Sequence, residues 1–161
     1  MQNLSIVVRC FNRRNMVDDF LLNLRETLRN YEYEVVLVGG GDLDYENVVV
    51  TTEKDAIFDG LRNASGDLVC FIDVNLIDSL RFIPTMIGLI DEVDRDFDAA
   101  MTRKVKGNRF AGLKSKVSHK DFFENEFCLL KRNAVDAILS ENAFSPDFLE
   151  REGFRIAWYE Y

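Results

Sequence analysis

Gly60-Leu-Arg-Asn-Ala-Ser-Gly-Asp-Leu-Val-Cys-Phe-Ile-Asp-Val-Asn75 places three structural signals within sixteen residues. It begins in an amphipathic stretch: over residues 54–63, with Ala64, one helical face carries Ala56, Ile57, Gly60, Leu61 and Ala64. Gly66 ends that helix. Asp67-Leu-Val-Cys-Phe-Ile72 follows as an apolar, β-branched run of strand length, and Asp73 stands at its carboxyl end. A helix running through a glycine turn into a fully apolar strand is the rhythm of an α/β domain whose sheet is covered on both faces.

The same rhythm extends in both directions. Upstream, Leu4-Ser-Ile-Val-Val8 reads as a first strand. Met16, Phe20, Leu21, Leu24 and Leu28 recur at spacings of three and four, which predicts a helix with Asn15 as its N-cap. Glu34-Val-Val-Leu-Val38 is a second strand, running into Gly39-Gly-Gly41, and residues 47–51 make a short third. Downstream, Phe82, Ile83, Met86, Ile87, Leu89, Ile90 and Val93 predict a helix over 82–93, with Pro84 in its first turn. Residues 98–102 predict a strand. Beyond them the alternation fades, leaving a strand near 127–130, a helix over 134–140 and a closing strand over 155–159. The expectation is one α/β domain over residues 1–161 with a mainly parallel sheet and right-handed crossovers.

Bulk composition narrows the function classes. A hydrophobic fraction of 47% with 30% charged residues describes a globular chain. No apolar run approaches the roughly 20 residues that cross a bilayer, and Leu4–Val8 is too short for a leader, so a cytoplasmic protein is expected. The net charge of −8 argues against a nucleic-acid binder. Cys10, Cys70 and Cys128 are odd in number and lack metal-ligand spacing, which marks them as buried thiols. The single His119 excludes a polyhistidine metal site. One segment runs against the acidic average: residues 103–120 hold seven Lys or Arg and no Asp or Glu. That is either a locus for an anionic ligand or a solvated loop.

Ligands of open parallel sheets bind beyond the carboxyl ends of the strands, where strand order switches. Residues 9–12, 39–44 and 73–75 reach that edge. The triple glycine lets backbone approach a ligand, yet it is neither a phosphate-binding Walker loop nor a dinucleotide fingerprint. Asp73-Val-Asn75 offers two oxygen ligands to Mg²⁺ or Mn²⁺, or else Asp73 simply caps the next turn.

Taken in order, these segments resemble the family 2 glycosyltransferases of GT-A fold, and within them the dolichol-phosphate mannosyltransferases. Ser5-Ile-Val-Val-Arg-Cys-Phe-Asn12 is similar to the family's opening strand and turn. Glu34-Val-Val-Leu-Val-Gly-Gly-Gly41 lies at its second strand, Gly60-Leu-Arg-Asn-Ala-Ser-Gly-Asp67 at its Gly-Leu-x-x-Ala-x-Gly-Asp helix, and Phe71-Ile-Asp-Val-Asn-Leu76 at its Phe-x-Asp-Ala-Asp-Leu motif. Glu126-Phe-Cys-Leu-Leu-Lys-Arg132 and Gly153-Phe-Arg-Ile156 match later segments.

The resemblance implies a Rossmann-like three-layer sandwich with a mainly parallel central sheet flanked by helices. It also implies transfer of a sugar from a GDP- or UDP-sugar to a polyprenyl-phosphate or saccharide acceptor, with a divalent metal. By position, Arg9, Phe11, Asn12, Gly39, Gly40 and Asp42 would line the nucleotide pocket. Asp73 and Asn75 would take the metal. Arg103 and Lys104, with Lys106 and Arg109, would belong to a basic loop over the donor's diphosphate. Asp73, Glu126 and Asp147 are the carboxylates placed in catalysis, with Glu124 as a further candidate base. The implied assembly is soluble, with peripheral membrane contact and a homodimer both compatible.

Three positions depart from the family pattern. Gly39 and Gly40 replace an acidic pair that contacts the base, Asn75 replaces a second metal-site aspartate, and Arg9 replaces a proline. The family also has more sequence before its closing segment. A module that keeps the fold and binds without turnover is therefore the alternative to an active transferase. A nucleotidyltransferase would need a basic glycine loop after the first strand, and residues 9–15 contain no glycine.

Overall fold

The structure, a computed structural model, describes residues 2–39, 41, 43–105 and 119–161. Among these residues seven strands form one sheet: β1 (Leu4–Arg9), β2 (Tyr33–Gly39), β3 (Val48–Val50), β4 (Leu68–Asp73), β5 (Ala99–Arg103), β6 (Cys128–Lys131) and β7 (Ile156–Glu160), in the order β3-β2-β1-β4-β6-β5-β7. The pairs β1/β2, β1/β4, β2/β3 and β5/β7 are parallel, and only β6 runs against its neighbours β4 and β5. The expected mainly parallel α/β architecture is what the chain adopts.

The helices are α1 (Val17–Thr27), α2 (Ala56–Asn63), α3 (Ile83–Ile90), α4 (His119–Asn125), α5 (Arg132–Glu141) and α6 (Pro146–Arg151). Alternation along the strands sorts them into two layers. Leu4, Ile6 and Val8 of β1 with Leu68, Cys70 and Ile72 of β4 pack against Phe20 and Leu24 of α1 and Ile83, Met86 and Ile90 of α3. Val7, Val69 and Phe71 point the other way, onto Ile57 and Leu61 of α2, Phe123 of α4 and Val135 and Ile138 of α5. Arg9 and Asp73 share the parity of Val7 and Phe71, so the two charged side chains leave the sheet on the α2 and α4 side.

Helix starts differ from their sequence signals. Asn15 does not cap α1. It lies inside a 3₁₀ turn, Arg14–Met16, whose Met16 N–H is already satisfied by the Arg13 carbonyl at 3.0 Å. Asp18 and Asp19 supply the negative charge that favours the first turn of α1. The helix expected over 82–93 ends at Ile90, and Val93 beyond it is almost fully exposed. A 3₁₀ segment, Val74–Phe82, kinked at Leu76, precedes α3. Helix α6 has a full N-terminal signature: Ser145 accepts the Phe148 N–H at 2.9 Å and Pro146 occupies the first turn.

The amino edge of the sheet is closed by a polar knot. Ser5 is fully buried; its hydroxyl donates to Glu34 Oε1 at 2.5 Å and accepts the Gly66 N–H at 2.8 Å. Ser65 adds its N–H and hydroxyl to the same Glu34 oxygen. Burial works to raise the Glu34 pKa, but these hydrogen bonds outweigh it and hold the carboxyl below its usual range.

Candidate active site at the β1–β4 switch point

From β1 the chain steps outward to β2 and β3, then returns to place β4 on the other side of β1. The change of direction therefore falls between β1 and β4. There the register sets Arg9 directly against Asp73 as the last residues of two neighbouring strands. Arg9 Nε donates to Asp73 Oδ2 at 2.6 Å, and Arg13 Nη1 lies 3.5 Å from Oδ1. Oδ1 also accepts the Asn75 N–H at 3.0 Å, capping the 3₁₀ segment. Asp73 is thus both turn cap and ion-pair partner. The Arg9 and Asp73 side chains are only 11% and 10% exposed, whereas Arg13 is 46% exposed.

A cavity of about 390 Å³ opens over this pair. Arg9, Phe11, Asn12 and Arg13 line it from the end of β1 and the turn after it, Asp73 and Asn75 from the end of β4, and Glu124 and Asn125 from the end of α4; Glu53 lines it too. Asn12 makes the turn in the left-handed region at φ 56°, which asparagine tolerates better than most residues. The glycine loop is adjacent. A Cβ at Gly39 would sit 3.2 Å from Cys10 Sγ, and one at Gly41 would overlap the Arg14 guanidinium. The structure thus brings Arg9, Phe11, Asn12, Asp73 and Asn75 together and sets Gly39 beside them. Gly40, Asp42, Lys106 and Arg109 lie outside the described residues.

Arg103, Lys104 and Glu126 do not line the cavity. Arg103 pairs with Glu160 on the neighbouring β7 and stacks 4.9 Å over the Trp158 ring. Glu126 Oε1 accepts the Lys104 N–H at 2.9 Å, and its Oε2 lies 3.3 Å from the Tyr161 hydroxyl. Burial and the Glu126 charge push the Tyr161 pKa up to about 12, so the phenol keeps its proton. Asp147 sits in the first turn of α6 and does not line the cavity. Glu124 does. Arg13, Glu53 and Asn125 are lining residues that sequence reasoning did not single out. Arg13 and Asn125 directly follow the candidates Asn12 and Glu124, whereas Glu53 reaches the cavity from a separate segment that carries no local signal.

Cys10, just behind the ion pair, donates its thiol to the Val38 carbonyl at 3.3 Å. Burial first, and then the Asp73 charge, raise its pKa to about 11, so it stays a thiol and offers no nucleophile. Cys70 and Cys128 are free and fully buried, as expected for packing residues.

The side-chain oxygen of Asn75 is buried and has no donor among the described residues, while its amide nitrogen donates to the Glu124 carbonyl at 3.3 Å. An uncommitted buried acceptor costs about 1–3 kcal/mol. Asp73 and Asn75 line the same cavity, and a carboxylate with an amide oxygen is a hard-oxygen donor set of the kind that suits Mg²⁺ or Mn²⁺, which commonly complete their shells with substrate phosphate and water. Among the described residues no group of three Asp, Glu, His or Cys could hold a metal by itself. The residues therefore fit a shared site, in which protein gives two oxygens and substrate the rest.

Comparison with known proteins agrees with this architecture. The chain superimposes over 99% of its length on mannosyl-3-phosphoglycerate synthase from Rubrobacter xylanophilus, with a TM-score of 0.67, 14% identity and coverage of 65% of that chain. It does so equally on glucosyl-3-phosphoglycerate synthase from Mycobacterium tuberculosis in complex with Mn²⁺, UDP and phosphoglyceric acid, with a TM-score of 0.66, 16% identity and coverage of 68%. The fold is the GT-A fold. No family model matches the chain. In sequence, 98% of it aligns at 30% identity with the bactoprenol glucosyl transferase of Shigella phage SfV, and at 28% with a prophage bactoprenol glucosyl transferase homolog of Escherichia coli. The likeness to family 2 glycosyltransferases is borne out, through relatives named for glucose and bactoprenol rather than for mannose and dolichol phosphate. The chain spans 62% of the length of each of these two relatives. The alignments run over 192 positions against its 161 residues, so the relatives carry residues that it lacks.

Proposed function

We propose that the chain is the nucleotide-sugar-binding domain of a glycosyltransferase that moves a hexose from a nucleoside-diphosphate sugar to a polyprenyl phosphate. One observation carries this reading. The cavity at the β1–β4 switch point combines two guanidinium groups with the Asp73–Asn75 oxygen pair, on a fold whose solved members hold UDP with Mn²⁺. The acceptor class comes from the bactoprenol glucosyl transferases that the chain resembles.

The leaving group is a nucleoside diphosphate, and catalysis consists mainly in stabilising the charge that builds on it. Arg9 and Arg13 bring positive charge to the cavity. Asp73 and Asn75 would hold the divalent cation, which supplies Lewis-acid charge at the diphosphate. Phe11 and Asn12, in the turn after β1, line the cavity and serve the nucleoside. A phosphate acceptor is already ionised and needs no general base; for a hydroxyl acceptor, Glu124 is the carboxylate that lines the cavity. No helix among the described residues is long and apolar enough to cross a membrane.

Radiolabelled UDP-glucose and GDP-mannose, each incubated with the protein, a short-chain polyprenyl phosphate and Mg²⁺ or Mn²⁺, test the proposal. The expected result is label in an organic-extractable lipid product with one of the two donors. Nucleotide binding without transfer to lipid phosphate or to sugar would favour a non-catalytic binding module, in line with the glycines at 39 and 40.

A further inference from the structure

The metal-site carboxylate is already taken. Asp73 is locked to Arg9 by a 2.6 Å charge-assisted bond between the ends of two paired strands, with both side chains about nine-tenths buried. Arg13 shares the other carboxylate oxygen. A divalent cation arriving alone must compete with the Arg9 and Arg13 guanidinium groups for Asp73, and a displaced Arg9 stays about nine-tenths buried, with Glu53 and Glu124 the other carboxylates of the cavity lining. Both costs oppose it. A diphosphate in the same cavity removes them, because it offers Arg9 a replacement anion and frees Asp73 for the cation. The side-chain oxygen of Asn75, a residue lining the same cavity, has no donor among the described residues.

We propose, on the glycosyltransferase reading above, that Arg9 is a diphosphate-binding residue held in reserve on Asp73. Nucleotide binding transfers it from the carboxylate to the diphosphate, and only then does Asp73 become a cation ligand. The ion pair thus couples the two ligands: the protein takes up its metal when the donor is present and resists it otherwise. Linkage makes the effect reciprocal.

Arg9→Gln tests this through two affinities measured separately. Free Mn²⁺ is followed by electron paramagnetic resonance without nucleotide, and UDP and GDP by calorimetry in EDTA. The expected changes have opposite signs: Mn²⁺ alone binds R9Q about tenfold more tightly than wild type, and the nucleotide alone about tenfold more weakly, within the usual range of coupling. Arg13→Gln, at a half-exposed position, moves both affinities in the same senses by smaller factors and carries the test if R9Q does not fold. A merely structural role for Arg9 would weaken both affinities together, and that result overturns the proposal. Mn²⁺ binding wild type and R9Q equally also overturns it, while leaving the glycosyltransferase reading intact. Failure of wild type to bind UDP or GDP under any condition would sink that reading itself.

Discussion

Asp73→Ala is expected to lower the thermal midpoint by roughly 8–24 °C. The carboxylate holds Arg9 at 2.6 Å, Arg13 at 3.5 Å and the Asn75 N–H at 3.0 Å. Its removal strands a guanidinium that is 11% exposed, and breaking a buried pair from one side costs about 3–5 kcal/mol. Loss of the cap adds about 1 kcal/mol. For a domain of this size, each kcal/mol shifts the midpoint by roughly 2–4 °C. Asp73→Asn keeps an acceptor for the cap and should lose less. Calorimetric melts of the three proteins without added metal decide the matter. The sign is informative: a metal-site carboxylate crowded by other acids is relieved by its removal, whereas one paired with arginine is missed. An unchanged or raised midpoint for D73A would mean that the ion pair does not hold the β1–β4 edge together.

Gly66→Ala is the second large effect, and it acts at the opposite end of the same two strands. A Cβ at Gly66 would lie 2.7 Å from the Asn3 carbonyl oxygen, 2.7 Å from the Ser5 nitrogen and 2.8 Å from Ser5 Oγ. Two of these atoms are backbone at the start of β1 and cannot rotate away. Moving them would disturb the Gly66 N–H bond to Ser5 and the Arg132 Nε bond to the Gly66 carbonyl at 3.1 Å. The expected cost is about 3 kcal/mol, at the upper end of overpacking penalties. Gly88→Ala is the control. Gly88 lies in α3 with no atom within 4 Å of an added Cβ, so alanine there should stabilise by about 0.5–1 kcal/mol. Urea midpoints that move in opposite directions for the two glycines bear this out. A G66A protein as stable as wild type contradicts the close approach of the helix-to-strand turn to β1.

The contrast between these two ends shows what a sequence exposes. The strands β1, β2 and β4 were legible because each is an uninterrupted apolar run bounded by a polar or glycine turn. Helix α2 was legible from its spacing and from the Gly66 stop. Asp73 was legible as a residue at a strand end, and the resemblance placed it at a nucleotide-sugar site. Its partner was not. The Arg9–Asp73 bond joins residues 64 apart and follows from strand register, which neither segment encodes alone. The Val74–Phe82 segment escaped notice because 3₁₀ turns follow neither helical nor strand periodicity. Helix α6 is different: Ser145-Pro-Asp147 is a regular helix start and could have been read. The resemblance placed Arg103 in a basic donor loop, yet the pairing of β5 with β7 gives it Glu160 and Trp158 as partners.

The account stands on a single location: a nucleoside diphosphate binds where β1 and β4 end. Amide chemical-shift mapping of the isotope-labelled protein, titrated with UDP and GDP in the presence of Mg²⁺, tests that location most directly. The predicted result is a cluster of shifts at residues 9–13, 73–75 and 124–125. Shifts gathered instead at the hollow between α1 and β2, around Leu24, Tyr33 and Tyr45, would contradict it, as would a spectrum that neither nucleotide changes.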